Sequence, residues 1–267
     1  MSSPDLNGAP SPDERRAIGV VGGLGPYAGL DLVRAIFDET VAQRDQDHLP
    51  VALISYPGRV PDRSAWLTHM DTAPNPVPAL QEILRRLDDA GAVVAGIPCN
   101  TAHAAPIFDV LLDGLAADGR ELTLLHMVDA IVDNVAEVAP DAEQVGVLAT
   151  SASVQNRLHE TGLEAAGRHA VVPTPEVQAR VEASIFDPSW GLKAQSHPAS
   201  PQARAALEGA IDHLVQNGAQ AVILGCTELP LAIPDAMLSG VPLISSTRAL
   251  ARALIRATHP EKLHRSP

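Results

Sequence analysis

Two cysteines, Cys99 and Cys226, are the only ones in the 267-residue chain, and both stand in the same kind of place. Cys99 follows the apolar run 92–97 inside Pro98-Cys99-Asn100-Thr101-Ala102-His103, and Cys226 follows Ala221-Val222-Ile223-Leu224 inside Gly225-Cys226-Thr227-Glu228. Short β-forming apolar runs bounded by glycine read as buried strands. Each thiol is therefore expected where a strand hands over to a helix start, with Asn100 or Thr101 as the cap. Free N–H groups and the helix dipole at such a place favour thiolate over thiol. Two such groups on opposite faces of a carbon can remove a proton from one side and return one from the other, which inverts a stereocentre. One must be thiolate while the other is thiol, so the pair titrates as a unit. A Cα–H is weakly acidic, so the chemistry also needs donors for a developing carboxylate dianion. Asn100, Thr101 and Thr227 are the candidates, with backbone amides beside them. The competing reading of the two cysteines is that they are small buried hydrophobes.

The elements that must position these residues repeat along the chain. Ala17-Ile18-Gly19-Val20-Val21 reads as a first strand, followed by the loop Gly22-Gly23-Leu24-Gly25-Pro26 and a helical stretch from Tyr27 to Val41. The loop is neither a dinucleotide fingerprint nor a Walker loop. Val51–Ser55 is a second strand, 78–90 an amphipathic helix, and 122–127 a further strand. Val145–Ser151 then starts the pattern again, with Thr150 and Ser151 as the counterpart of the glycine loop, lining the pocket or capping a helix. Gly19 to Cys99 and Gly146 to Cys226 are each 80 residues apart (99 − 19 and 226 − 146). Equal spacing of strand start, Gly-Ala step and cysteine points to a duplicated unit. The expectation is an α/β fold of two pseudo-symmetric, three-layer domains with mainly parallel sheets, the site lying between the facing sheet edges. The expected division is a disordered tail at 1–16, a first domain of 17–125 plus 247–267, and a second of 126–246.

Composition narrows the function class. Hydrophobic residues make up 46% of the chain, enough for large cores, and the formal net charge of −13 argues against nucleic acid or an anionic membrane as partner. No apolar run approaches the roughly 18 residues of a membrane span. With two cysteines and a polar, proline-rich start, a reducing cytoplasm is the expected location. No lysine motif for pyridoxal phosphate is recognisable, and His103, four residues beyond Cys99, has no further ligand cluster to make a zinc site. The expectation is no cofactor and no metal, with His103 in a structural role.

At these residues the chain resembles the aspartate/glutamate racemase superfamily, its aspartate racemase branch above all. The resemblance rests on Gly22-Gly23-Leu24-Gly25-Pro26, Arg44-Asp45-Gln46-Asp47-His48, Pro61-Asp62-Arg63, Pro98–His103, Leu148-Ala149-Thr150 and Gly225-Cys226-Thr227-Glu228-Leu229-Pro230. It implies a homodimer and racemisation of a small amino acid without a cofactor, with Cys99 and Cys226 as the acid/base pair. It also implies that Asn100, Thr101 and Thr227 hold the α-carboxylate, while Arg63 and Lys193 meet an acidic substrate side chain. Aspartate is the leading substrate and glutamate the next. The alternatives on the same fold are a hydantoin racemase, a malonate decarboxylase-like enzyme and a non-catalytic amino-acid-binding protein.

Overall fold

The computed structural model describes residues 16–265, so the expected tail, apart from Arg16, and the last two residues lie outside the described residues. Nine strands are described: β1 (Ala17–Gly22), β2 (Val51–Ser55), β3 (Ala92–Gly96), β4 (Thr123–Leu124), β5 (Gln144–Leu148), β6 (His169–Val171), β7 (Ala221–Leu224), β8 (Met237–Leu238) and β9 (Val241–Ser245). They form a four-stranded sheet in the order β2-β1-β3-β4 and a five-stranded sheet in the order β6-β5-β7-β9-β8. Every pair is parallel except β8–β9. The fold is thus mixed α/β with mainly parallel sheets, as expected.

The repeat is visible atom by atom. Gly19 pairs with Ala95 in the first sheet, and Gly146 pairs with Val222 in the second. Both partners are shifted by 127 residues. A Cβ on Gly19 would meet Ala92, Ala95 and Leu87 at 3.1–3.3 Å, and one on Gly146 would meet Ala219, Val222 and Leu214 at 3.1–3.2 Å. The same shift relates all three contacts. The turns before β3 and β7 also match, because Gly91 and Gly218 both take positive φ (+88° and +94°), the conformation glycine tolerates best.

Side chains alternate between the two faces of each central strand. Val21 and Ala95 point into a core with the helices Val77–Asp89 and Ala105–Ala117, while Leu148, Val222 and Leu224 point into one with Pro175–Phe186 and Pro201–Gln216. The other faces, with Ile18, Val20, Val145, Val147 and Ile223, contribute to a single core. The helices Pro26–Asp38, Met127–Val138 and Ser246–Thr258 fill it from between the sheets. The two sheets therefore share a middle layer of helices. Leu250 and Leu254 of the closing helix pack where a Cβ on Gly96 would collide with them. On these contacts we propose that the closing helix goes with 17–125 and that 126–246 forms the second unit.

Two expected boundaries shift. The first helix stops at Asp38, before Val41, because Val41 donates its N–H to the Lys262 carbonyl and Thr40 bridges Leu263. The strand expected over 122–127 keeps only two residues, since Met127 already begins a helix. The start of the second unit divides between strand and cap: the strand ends at Leu148, and Thr150 caps the helix Ser151–Gln155, accepting from the Ser153 N–H. No described helix is long and apolar enough to cross a membrane.

Candidate active site

Both cysteines lie just beyond the carboxyl ends of central parallel strands, β3 and β7, where open α/β sheets bind ligands. The expected helix starts there are corrected. Cys99 caps a four-residue 3₁₀ turn, Asn100–His103, and the α-helix begins only at Ala105, with Pro106 preset for its first turn. Neither Asn100 nor Thr101 caps it, so both side chains are free for tertiary contacts. Cys226 precedes a helix of just four residues, Leu229–Ala232. The dipole effect expected to favour thiolate is correspondingly small.

All eight expected site residues line one cavity: Cys99, Asn100, Thr101 and Arg63 from the first half, and Thr150, Lys193, Cys226 and Thr227 from the second. Asp62, Ser64, Phe186 and Glu228 complete it. Its volume is ≈ 10 Å³, room for about one water molecule. The space expected for a small substrate is therefore closed. A pocket of ≈ 400 Å³ lies next to it and shares Asp62, Arg63, Lys193 and Glu228.

Polar contacts across the halves close the walls. Thr227 Oγ1 donates to the Pro98 carbonyl at 3.0 Å, and Thr101 Oγ1 lies 3.2 Å from Ser153 Oγ and 3.4 Å from Thr150 Oγ1. Asn100 donates to Ser246 Oγ at 3.3 Å. His103 turns its Nδ1 to the Cys99 carbonyl at 3.0 Å and stacks on Phe108, in keeping with its expected structural role.

The charged groups are asymmetric. Arg63 opens the helix Arg63–Thr68, whose cap Asp62 accepts from the Ala65 N–H. Its guanidinium is buried and donates to the backbone carbonyls of Leu24 and Pro61, while Nε has no partner among the described residues. Burial works against its charge, but Cys99, Asp62 and Glu228 outweigh that and raise its pKa. Lys193 is reached through a tight turn. Asp187 accepts from the Ser189 and Trp190 N–H groups, and Leu192 is fully buried as an anchor. Lys193 Nζ then meets Glu228 Oε1 at 3.3 Å. The lysine expected to await a substrate carboxylate is thus already paired within the protein.

Glu228 is the functional residue that the sequence reading missed. It is buried, and its Oε2 accepts from the Cys226 thiol at 3.0 Å. Burial would raise its pKa, yet Lys193, the Cys226 hydrogen bond and Arg63 together bring it below the ordinary value. Cys226 moves the other way. Burial first and the Glu228 charge second push its thiol well above the usual range, so Cys226 holds its proton. An available signal was the carboxylate two residues after the second cysteine, where the first cysteine has Thr101.

Comparison with known proteins fits this arrangement. The family model described as Asp/Glu/Hydantoin racemase matches residues 21–254. The chain belongs to that family. The aspartate racemase of Picrophilus torridus is 27% identical in sequence and superposes with a TM-score of 0.74, covering 91% of this chain and 94% of its own. An aspartate racemase homologue from Pyrococcus horikoshii (TM-score 0.69, 21% identical, 91% and 99% covered) shares the fold. A glutamate racemase from Beutenbergia cavernae is 28% identical over 240 residues, 85% of this chain and 73% of its own. The expectation of a racemase is met at the level of the family. In this racemase chain one cysteine from each repeat lines the same cavity.

Proposed function

We propose that the protein is a cofactor-independent racemase of an acidic amino acid, aspartate first and glutamate next. The observation that carries this reading is that Cys99 and Cys226, from equivalent strand ends, line one cavity with hydroxyl and amide donors and a buried guanidinium. In the direction set by a protonated Cys226, Cys99 as thiolate takes the Cα proton. The electron pair is held as a carboxylate dianion by Asn100, Thr101 and Thr227, whose hydroxyl gives up the Pro98 carbonyl when the substrate enters. The Cys226 thiol then gives its proton to the other face, leaving Cys226 as thiolate and Cys99 as thiol. Lys193, near Glu228, offsets the charge that Cys226 acquires. Arg63 Nε, which has no partner among the described residues, is a donor for the substrate's side-chain carboxylate. The closed cavity requires the walls to part on entry and close over the substrate, which excludes water.

The test is deuterium exchange at Cα of single aspartate enantiomers in heavy water. Wild type should racemise and exchange, and Cys99→Ser and Cys226→Ser should each lose racemisation by at least about 1,000-fold while retaining exchange from one face. Racemisation in either serine variant at the wild-type rate refutes the two-thiol mechanism. Activity that survives dialysis against hydroxylamine and a chelator supports independence from pyridoxal and metal. Hydantoins are the second reading, favoured by Lys193 being neutralised by Glu228, and belong in the same assay. A homodimer acting in the cytoplasm belongs to the same reading, and sedimentation of the purified chain tests its assembly state.

A further inference from the structure

Asn100 is gripped from two sides by residues distant in sequence. From the helix Leu158–Ala165 of the second half, His159 Nε2 lies 3.0 Å from Asn100 Oδ1, and Asn100 Nδ2 lies 3.3 Å from Ser246 Oγ at the start of the closing helix. All three residues are buried. The imidazole is packed so closely that a Cβ on Gly225, the residue before Cys226, would lie 2.8–2.9 Å from its Cε1 and Nε2. Burial first, and the His126 charge second, lower its pKa to about 4, so at working pH the ring is neutral and carries one proton.

We infer that His159 is a positioning residue, which turns Asn100 so that its amide N–H, not its carbonyl, faces the reacting cavity. His159 Nδ1 is buried without a partner among the described residues, so a proton there would be an unpaired buried donor. The ring proton therefore sits on Nε2, and His159 donates to Asn100 Oδ1, which as a carbonyl oxygen can only accept. That places Nδ2 on the Ser246 side, where one hydrogen goes to Ser246 and the second is left for the cavity that Asn100 lines. With the amide reversed, Oδ1 would face a substrate carboxylate and repel it. The glycine of Gly225-Cys226 then has a second purpose, since any side chain there would displace the ring. The inference rests on the proposed racemase reading, in which Asn100 donates to the α-carboxylate.

The experiment compares His159→Gln with His159→Met, two unbranched side chains of similar size that differ in having a hydrogen-bond donor. Gln can donate to Asn100 Oδ1 and should keep kcat/KM for aspartate within about threefold of wild type. Met cannot, and should lose about 10- to 100-fold, with KM raised, less than removal of a whole oxyanion donor costs. Neither variant should move the pH optimum, because His159 carries no proton in the reaction. Met behaving like wild type, or Gln losing as much as Met at an unchanged melting temperature, overturns the inference. If Met does not fold, Gln decides by itself. Activity within threefold of wild type supports the inference, and a tenfold loss in a normally melting protein overturns it. Cys99→Ser is run alongside. Its inactivity beside a fully active Met variant means that only the positioning role fails, whereas a wild type that neither racemises nor exchanges Cα–H overturns both.

Discussion

Replacing Glu228 by glutamine keeps the shape of the side chain and removes one buried charge, so it tests the electrostatics of the site directly. In wild type the carboxylate stands 3.3 Å from Lys193 Nζ and 3.0 Å from the Cys226 sulfur. At that separation a pair of unit charges attracts by about 5 kcal/mol at an effective dielectric of about 20. The lysine side chain keeps 27% of its exposure and can recover part of its hydration when left alone, so the net loss should be about 2–3 kcal/mol, at the low end for a buried pair. For a chain of this size that corresponds to a fall in melting temperature of roughly 5–10 °C. The pH dependence supplies the sign. Glu228 has a lowered pKa in the folded protein, so its contribution is present above the ordinary value of 4.5 and lost as pH falls through the lowered one. Lys193 has a raised pKa, so its contribution is present below 10.5 and lost as pH rises through the raised value. The difference between wild type and Glu228→Gln should be full at pH 7 and shrink below pH 4.5. Calorimetry at pH 7 and 3.5 on wild type, Glu228→Gln, Lys193→Met and the double variant gives the coupling. A glutamine variant that melts within 1 °C of wild type at pH 7, or a gap just as wide at pH 3.5, refutes the ion-pair account.

Other perturbations read other parts of the structure. Arg63→Lys keeps the charge but cannot donate to both Leu24 and Pro61 and still reach the cavity, so steady-state kinetics should show a 10- to 100-fold loss in kcat/KM for aspartate, about the worth of one charge-assisted hydrogen bond. Gly25→Ala places a methyl group against Glu228 Oε1, which is pinned by Cys226 and Lys193, so activity should fall by about tenfold or more; unchanged kinetics would mean that the carboxylate moves freely. Gly19→Ala and Gly146→Ala overpack equivalent sites and should each cost about 1–3 kcal/mol in urea unfolding, with the two losses alike if the repeat is physical. Because the Cys226 thiol is raised well above 9.0, its contribution holds below that pH and wanes as pH rises through the raised value. Wild type should therefore lose up to about 1.4 kcal/mol of stability per pH unit above pH 9 relative to Cys226→Ser, and parallel curves would remove the thiol from the account.

Much of the frame was legible in the chain. The strands at 17–22, 51–55, 92–96, 221–224 and 241–245 fall where β-forming runs meet glycine or proline, and the 127-residue repeat reappears in the glycine contacts. The site was legible in its membership but not in its wiring. The sequence offers Asn100 or Thr101 as a helix cap, because residue type cannot reveal that Pro106 starts the helix later and releases Asn100 to Ser246 and His159. The resemblance assigns Lys193 to a substrate carboxylate, but a carboxylate of the chain itself, 35 residues away, already neutralises it.

By itself the sequence determined the local rules: which runs form buried parallel strands, that the unit is duplicated, and that a thiol follows the same strand in each copy. These depend on residue type and short spacing, which the chain carries in every conformation. Only the tertiary structure decided the charge state and donor pattern of the site. The Glu228–Lys193 pair, the proton kept on Cys226 and the grip of His159 on Asn100 arise from burial and from contacts between segments far apart in the chain. Desolvation and hydrogen-bond direction do not exist for a residue until the fold has chosen its neighbours.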